Sequence, residues 1–483
     1  MVVFIRKYII FPLLTIIMLS GCKKEDNIPQ SLAGEINEFI WKGMNNYYLW
    51  QDSVPALSDD RFETLQELQE YAGTYDHPED FFETLIWKRN VVDKWSWIVD
   101  DYEELEAYFQ GVRKTTGAKI KLYRRAEGSD QLFGVVRYII PGTPAEAENV
   151  SRGDVFASVN GTALNVSNYR ELLIDSESYT LDMGTYSYDT ENQSVIITPT
   201  GEHISLTKGE YDENPIQVYT TFNTQAGKVG YLLYNAFVSN YDHQLNDAFA
   251  YFQNEGITDL ILDLRYNGGG SVATAIYLSG MITGQFEGQI FTREVWNSKI
   301  SQWLEQNHPD WAVNLFTNEM NDGTFLNNLY LTRLFIITTS DSASASELVI
   351  NALNPYIDII TIGGTTHGKY AASITLYDSP DFTKDDLNPD HKWAIQPIVL
   401  KEINVNGEYA PGGFPPDYEL YENPGNMGIL GDPGEPLLGA TLDIIENGYY
   451  KNTSTTLPPA SFHYDNNPME MNMYIENPAL SKK

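Results

Sequence analysis

The stretch that decides the fold is Leu262-Asp263-Leu264-Arg265-Tyr266-Asn267-Gly268-Gly269-Gly270, which is interpreted as the end of a buried strand followed by three glycines. Around it, apolar runs alternate with segments of helical spacing. The first set is the strand Val229 to Tyr234, the helix Asp242 to Asn254, the strand Asp259 to Leu264 and the helix Ala273 to Met281. The second set is the strand Leu334 to Thr338, the helix Ser344 to Leu353 and the strand Ile357 to Ile362. This alternation predicts an α/β unit in which crossovers feed a mainly parallel sheet.

A glycine-rich turn between a strand and a helix can hold phosphate on its free N–H groups. The turn Gly268-Gly269-Gly270 lacks the spacing of a Walker loop and of a dinucleotide fingerprint. A nucleotide site is therefore disfavoured, and the turn needs another explanation.

The second informative segment is Thr339-Ser340-Asp341-Ser342-Ala343-Ser344-Ala345-Ser346-Glu347-Leu348, followed by Gly363-Gly364-Thr365-Thr366-His367-Gly368-Lys369. Small residues at the start of a helix leave a hydroxyl beside free N–H groups, where an oxyanion would be stabilised. Such a serine is a candidate nucleophile, and the local candidates for its base are His367 and Lys369. A histidine base would also need an orienting carboxylate, for which Asp263 or Asp341 is available, but no serine lies in a G-x-S-x-G elbow.

Between Tyr108 and Leu181 the pattern changes to short alternating runs broken by Gly, Pro and Asn, which predicts a small β-rich domain. Pro144 can open a helix there, and Asn160-Gly161 suits a two-residue hairpin turn. The order of a strand ending in Pro141-Gly142-Thr143-Pro144-Ala145, then Arg152-Gly153-Asp154 and Val159-Asn160-Gly161, resembles a PDZ domain of the bacterial protease type.

A PDZ domain binds an extended peptide as an added strand and holds its terminal carboxylate on backbone N–H groups. The resemblance implies a carboxylate loop before the first groove strand, placed here at Phe109-Gln110-Gly111-Val112. Gly111 and Val112 are the predicted substrate-binding residues, because a glycine lets the backbone approach a ligand closely.

The order of these motifs resembles the tail-specific, carboxyl-terminal processing proteases of family S41. The resemblance implies a crotonase-like ββα protease core with Ser344 as nucleophile and Lys369 as general base. It assigns the oxyanion donors to the N–H groups of Ala345 and of Gly269, in preference to Gly268. Many family members carry Gln four positions after the lysine; Ser373 stands there in this chain, so Ser373 is the candidate third catalytic residue. Glu347 is interpreted as a structural hydrogen-bonding group.

A lysine base has a physical requirement. Its usual pKa near 10.4 must fall by about three units, a differential free energy of about 4 kcal/mol, to leave much neutral amine at pH 7. Lys369 must therefore be buried, and apolar runs on both sides of it make burial plausible.

The start of the chain has the layout of a secretory signal: Arg6 and Lys7 precede an apolar run that ends in Leu19-Ser20-Gly21-Cys22. Leu-Ser-Gly-Cys resembles the lipobox of bacterial lipoproteins, which implies that Cys22 is acylated. The expected location is the bacterial cell envelope, with the chain lipid-anchored on the periplasmic face or at the outer-membrane surface.

The amino-acid composition excludes several classes of partner and cofactor. The 483 residues carry 66 Asp and Glu against 31 Lys and Arg, a net charge of −35 that repels nucleic acid over most of the surface. A single cysteine excludes a disulfide framework and a multi-thiolate zinc site within one chain. The histidines show no H-E-x-x-H spacing, so neither a metal nor another cofactor is expected.

The predicted fold class is multidomain α+β and α/β. The predicted units are a signal peptide (1–22), an N-terminal helical domain (23–103), a PDZ-like β domain (104–195), a protease core (196–447) with an insertion or lid near 286–328, and a C-terminal tail (448–483). The aromatic stripe of the helical domain, with Trp41, Trp50 and Trp87, is expected to be core rather than a ligand platform.

The sequence therefore predicts a serine endopeptidase that recognises the C-terminal ends of unfolded or extended polypeptides and cleaves them through an acyl-enzyme. Because the positions after Lys369 depart from the family pattern, a second hypothesis is a binding lipoprotein for peptides or apolar ligands with weak or lost activity. The oligomeric state is not predictable from the sequence.

Overall fold

The computed structural model describes residues 29–450 and 471–476. The predicted signal peptide and Cys22 lie outside the described residues. Within those two ranges, no helix is both long and apolar enough to cross a membrane. The described chain contains an N-terminal helical region, a β domain and a larger α/β core, which confirms the multidomain α+β and α/β class.

The N-terminal helices, which belong to the domain predicted for 23–103, pack on the core. Ile36, Ile40 and Met44 recur at helical spacing, are fully buried, and belong to the same apolar cluster as the core strands. The predicted tryptophans pack half-buried against this cluster. The elements are α1 (Gln30–Tyr47), 3₁₀ turns at Gln51–Ser53 and Pro55–Leu57, α2 (Leu65–Ala72), α3 (Pro78–Thr84), β1 (Trp97–Val99) and α4 (Tyr102–Phe109).

The β domain is an antiparallel sheet in the order β3-β4-β5-β7-β8, with β6 paired to β5. Its elements are β2 (Val112–Thr115), β3 (Ala118–Arg124), β4 (Leu132–Ile139), α5 (Pro144–Ala147), β5 (Val155–Val159), β6 (Thr162–Ala163), a π-helical turn (Arg170–Ile174), β7 (Ser178–Asp189), β8 (Ser194–Thr207) and β9 (Gly209–Asp212). Asn160 and Gly161 both have positive φ at the β5–β6 turn, as that hairpin requires. The domain runs past its predicted end at 195, because β8 completes a long hairpin with β7.

The core sheet has the order β10-β11-β12-β16-β17-β22, and all its pairs are parallel except β10–β11. Its strands and covering helices are β10 (Ile216–Thr224), β11 (Gly227–Tyr234), α6 (Asp242–Glu255), β12 (Asp259–Asp263), α7 (Val272–Thr283), β16 (Arg333–Thr338), α9 (Ala345–Leu353), β17 (Asp358–Gly363), β22 (Tyr418–Glu419) and α10 (Pro436–Asn447). The predicted mainly parallel sheet is therefore present, and its strands deliver both sequence motifs to one edge.

A second sheet, in the order β13-β23-β18-β21-β14-β15, lies beside the motifs. The remaining elements are β13 (Gly270–Ser271), β14 (Ile290–Trp296), α8 (Ser298–Asn307), a 3₁₀ turn (Pro309–Ala312), β15 (Val313–Leu315), β18 (Ala371–Ser373), β19 (Leu376–Tyr377), β20 (Ala394–Gln396), β21 (Ile398–Ile403) and β23 (Met473–Tyr474). Strands β1, β20 and β19 form a third, small sheet. The segment 286–328 supplies β14 and β15 to the second sheet, so for these strands the lid interpretation is wrong.

The segment predicted as an extended tail contributes a strand. β23 pairs in parallel with β13 on one side and with β18 on the other. Its residues are buried, whereas residues 451–470 and 477–483 lie outside the described chain.

A buried charge network fixes the end of β12, from which the glycine turn leaves. Arg265 is fully buried, donates to Asp263 at 2.9 and 3.0 Å, and forms a bidentate pair with Glu435 at 2.7 and 2.9 Å. Glu422 joins Arg265 to Arg152 of the β domain. Burial opposes ionisation of Glu422, but Arg265 and Arg152 lower its pKa to about 2. The network therefore ties the β domain to the core.

Substitution Arg265→Met is expected to lower the free energy of unfolding by about 3–5 kcal/mol, because it leaves buried carboxylates without their cation. The free energy is measured by urea denaturation at pH 7. The matched control is Lys114→Met, which removes an ion pair with Glu177. Both side chains of that pair are more than half exposed, so the free energy of unfolding should change far less than in Arg265→Met. Equal losses in the two variants would contradict this assignment.

Candidate active site

Ser344 is the residue on which the site is built. It caps the N-terminus of α9 with φ +65° and ψ −114°, a conformation that a non-glycine residue adopts only when its surroundings impose it. The surroundings are the end of the first motif: Ala343 N–H and Ser346 Oγ both donate to Asn267 O at 3.0 Å. Ser344 is fully buried, and its Oγ has no hydrogen-bond partner among the described residues. The two motifs thus hold a strained serine whose hydroxyl is uncommitted.

The Ala345 N–H lies in the first turn of α9, where backbone donors lack an intrahelical acceptor. It is therefore suited to an oxyanion, as the sequence predicts. The second predicted donor, Gly269, instead gives its N–H to Asn267 Oδ1 at 2.9 Å. In this conformation Gly269 is engaged, so its role as an oxyanion donor requires a rearrangement of the turn and stays a prediction.

Glycine is nevertheless required at 269. Its φ is +109°, and a Cβ built there would collide with Asn472 O, lie 2.6 Å from Ser344 Cβ and lie 3.0 Å from Ala345 N. The backbone of Gly269 therefore lies close to Ser344 and to the first residue of α9, with no room for a side chain between them.

Lys369 meets the burial requirement stated above. Its side chain is 1% exposed, and burial lowers its pKa to about 7, although Asp93 and Glu347 act in the opposite direction. The Nζ donates to Met471 O at 2.7 Å and lies 6.0 Å from the centre of the Trp95 ring. Near neutral pH a large fraction of this amine is unprotonated and can accept a proton.

Glu347 joins the nucleophile segment to the base segment. Its carboxylate accepts from the N–H groups of Ser344, Gly368 and Lys369 at 2.6–2.9 Å and from Thr366 Oγ1 at 2.6 Å. Burial raises the Glu347 pKa to about 7, and these bonds act against that rise. All four contacts are structural, so Glu347 sets the relative position of the two predicted catalytic residues.

The rival base His367 has a different environment. Burial and the neighbouring Lys369 lower its pKa to about 4, and its backbone N–H donates to Ser342 O. The carboxylates proposed to orient it already have cations: Arg265 binds Asp263, while Lys121 and Arg137 bind Asp341. This arrangement disfavours a serine–histidine–aspartate triad.

Ser373 lies in β18, which follows Lys369. Its Oγ donates to Met473 O at 3.1 Å and accepts from Gln396 Nε2 at 3.0 Å. Gln396 is buried and lies in β20 of the small third sheet, so an amide side chain does stand beside the position where the family pattern places glutamine. Sequence reasoning missed Gln396, because no local spacing relates it to Lys369.

A cavity of about 490 Å³ extends from the site to the β domain. Its walls include the glycine turn 268–270 on the core side and β3, an edge strand, on the other. Six of its lining residues are cationic and two are carboxylates: Arg113, Lys114, Lys119, Lys121, Arg137 and Lys208, against Glu213 and Asp341. In a chain with a net charge of −35, this is a locally basic groove.

The predicted carboxylate loop at Phe109–Val112 is corrected by the structure. Gly111 N–H donates to Tyr108 O and its carbonyl accepts from Glu213 N–H, while Val112 begins β2, which pairs with β9. The Gly111 N–H is therefore occupied, and neither Gly111 nor Val112 lines the cavity. The turn that directly precedes β3 contains Gly117 instead, with φ +91°.

Residues 29–450 and 471–476 contain no cluster of three or more His, Cys, Asp or Glu side chains arranged to hold a metal ion.

Two family models match segments of the chain. The model of peptidase family S41 matches residues 228–419, and that of the peptidase S41 N-terminal domain matches residues 35–97. A Staphylococcus aureus protein described as a CtpA-like serine protease is 23% identical over 280 residues, covering 58% of this chain and 48% of the relative. The chain thus spans about half the length of that relative.

Two further proteins are similar. The chloroplastic C-terminal processing peptidase of Tetradesmus obliquus is 24% identical over 318 residues, covering 59% of this chain and 61% of the relative. A crystal structure described as an S41 protease from Bacteroides fragilis NCTC 9343 superposes with a TM-score of 0.62 at 25% identity, covering 84% of this chain and 96% of that one.

Proposed function

Because the chain belongs to peptidase family S41, we propose that it is a serine endopeptidase that cleaves unfolded or extended polypeptides with Ser344 as nucleophile and Lys369 as base. The observation that carries the proposal is the Lys369 amine: it is buried, its pKa is lowered to about 7, and the same Glu347 carboxylate that binds its backbone binds that of Ser344. A solvated surface lysine would have none of these features.

The mechanism begins when the neutral Lys369 amine takes the proton of Ser344 Oγ, which attacks the substrate carbonyl carbon. The resulting oxyanion accepts from Ala345 N–H and from a donor in the glycine turn. The C–N bond breaks as the Lys369 ammonium returns its proton to the leaving nitrogen. Lys369 then deprotonates a water molecule that attacks the acyl ester, and Ser344 recovers its proton as the carboxylic product leaves.

For substrate recognition we propose that the β domain acts as a PDZ domain. Its edge strand β3 faces the cavity and can accept an extended peptide as an added strand. The excess of cations in the groove favours a segment that ends in a carboxylate. The groove continues to the glycine turn, so one polypeptide can contact both places.

The proposed location is the cell envelope, with a lipid on Cys22 as the membrane anchor. This proposal rests on the signal layout of residues 1–22 and on the lipobox-like Leu19-Ser20-Gly21-Cys22.

The experiment is incubation of the soluble chain from Lys24 onward with an unfolded protein ending in an apolar tail, followed by mass spectrometry of the products. The Ser344→Ala chain, which keeps the cleft and lacks the nucleophile, is run in parallel. Products formed by the parent alone support the proposal. Identical product sets from both chains would refute it.

A second candidate function, a binding lipoprotein with weak or lost activity, is favoured by one observation. Ser344 Oγ is not bonded to Lys369, whose Nζ bonds instead to Met471 O. A fluorophosphonate probe separates the two functions: an active nucleophile is labelled at Ser344, whereas a pure receptor is not labelled there.

The pH dependence of hydrolysis is expected to follow Lys369. Since the neutral amine is the working form, kcat/KM should rise with pH, about tenfold per unit below the Lys369 pKa of about 7, and level off above it. The measurement is kcat/KM from pH 5 to 9 on a peptide without titratable side chains. A flat profile over that range would count against Lys369 as the base.

A further inference from the structure

The cleft beside Ser344 holds a segment of the same chain, Met471–Glu476. Its strand β23 lies between β13, which follows the glycine turn, and β18, which follows the base. The N–H of Asn472 donates to Gly268 O at 3.0 Å, and that of Ile475 donates to Ser373 O at 3.1 Å. The segment is therefore held on both sides by backbone that belongs to the candidate site.

The carbonyl groups of the segment lie against residues of the candidate site. Lys369 Nζ donates to Met471 O at 2.7 Å, and Ser373 Oγ donates to Met473 O at 3.1 Å. The intervening carbonyl, that of Asn472, lies at the point beside Gly269 that Ser344 Cβ and Ala345 N also border. The Asn472 carbonyl oxygen therefore lies beside Ser344.

The side chain of Tyr474 occupies an aromatic subsite. Its ring stacks on Phe109, the last residue of α4, with centroids 4.2 Å apart and an interplanar angle of 22°. Tyr474 is 6% exposed. Such stacking adds to the burial of a large apolar surface, so Phe109 selects for an aromatic ring at this place.

We infer that Met471–Glu476 follows the path of a bound polypeptide and competes for it with substrate in cis, and that Phe109 selects an aromatic side chain two residues beyond the carbonyl that faces Ser344. Competition with substrate rests on the proposed function, whereas binding of Met471–Glu476 in the cleft does not. While the segment is bound, Lys369 is held by a carbonyl, and substrate cannot take the same path past Ser344.

The segment fits the cleft incompletely, which makes it a displaceable competitor. Asn472 is 4% exposed, and both polar atoms of its side chain lack a hydrogen-bond partner among the described residues. Burying an unsatisfied amide opposes binding. Loss of the Tyr474 ring should therefore loosen the segment, and loss of the Asn472 amide should tighten it.

Hydrogen exchange with mass spectrometry tests the interaction without any catalysis. In the full Ser344→Ala chain, residues 471–476 should be protected. Protection should fall when Tyr474→Ala or Phe109→Ala is added and rise when Asn472→Ala is added. An acetylated peptide Met-Asn-Met-Tyr-Ile-Glu at saturating concentration should displace the segment, and its Tyr-to-Ala analogue should do so at least about tenfold less effectively. Exchange at the rate of an unstructured peptide, or protection insensitive to the added peptide, would overturn the inference.

Hydrolysis gives the second test in the full chain. Tyr474→Ala should lower KM about tenfold and leave kcat unchanged, as expected when an internal competitor is weakened. The control Tyr449→Ala alters an exposed tyrosine outside the cleft and should change neither constant.

Phe109→Ala should reduce the preference for substrates with Tyr over Ala two residues after the cleaved bond. An unchanged KM in Tyr474→Ala would overturn competition in cis. If no chain hydrolyses peptide, the proposed function fails while the exchange experiment still decides the interaction.

Discussion

Substitution Ser344→Ala is expected to lower kcat/KM for an unfolded protein substrate by at least about 10⁴-fold, because it removes the atom that forms the acyl-enzyme. The cleft, the backbone donors and Lys369 stay in place, so substrate binding should be retained. The measurement is the initial rate of product formation with a fluorogenic peptide, together with binding of the same peptide.

Folding stability gives an independent check on this variant. Ser344 Oγ is buried without a partner, so its removal should leave the free energy of unfolding unchanged or raise it by up to about 1–3 kcal/mol. The control Ser298→Ala changes an exposed serine at the start of α8 and should keep full activity. An inactive Ser344→Ala chain that is also strongly destabilised would mean that the serine is structural.

The α/β core was predictable because its signals are local. The strand containing Leu262 and the helix containing Val349 are continuous apolar or periodic runs bounded by glycine or small residues, and they occur within about two residues of the predicted limits. The hairpin at Asn160-Gly161 was predictable for the same reason, since only a few residue types accept positive φ.

The features that the sequence did not reveal depend on distant pairing. Gln396 and Ser373 lie in different sheets and meet only in the folded chain. Asn267 Oδ1 accepts the Gly269 N–H in a side-chain contact that no sequence spacing predicts. The residues of β23 were predicted as part of the tail, because a strand of two residues is too short to show a periodic pattern. The strand forms because it pairs with β13 on one side and β18 on the other. The carboxylate loop was misplaced at Gly111, since a glycine marks a turn without showing what faces it.

Substitution Lys369→Met is expected to lower kcat/KM by about 10³–10⁴-fold, because general-base assistance is lost while the nucleophile remains. Methionine fills a similar buried volume, so the cleft should keep its shape. The rate should no longer rise with pH near 7. Lys369→Arg is the matched control that retains a cation: it should be equally inactive, because guanidinium is not deprotonated at these pH values.

Lys369→Met should also raise the free energy of unfolding, and the pH dependence of this gain tests its cause. Burial lowers the Lys369 pKa from 10.5 to about 7, so below pH 7 the folded parent carries a buried cation at a cost of roughly 4–5 kcal/mol. Between pH 7 and 10.5 the unfolded chain binds more protons than the folded chain, so the parent gains stability as pH rises and the cost disappears.

Part of the gain in Lys369→Met is offset because Met471 O loses its donor, which leaves about 2–3 kcal/mol at pH 6. Urea denaturation of both chains at pH 6 and 9 should show the difference shrinking with pH. If the difference in unfolding free energy between the two chains did not change with pH, Lys369 would not titrate in the folded protein. That result would contradict its assignment as the general base.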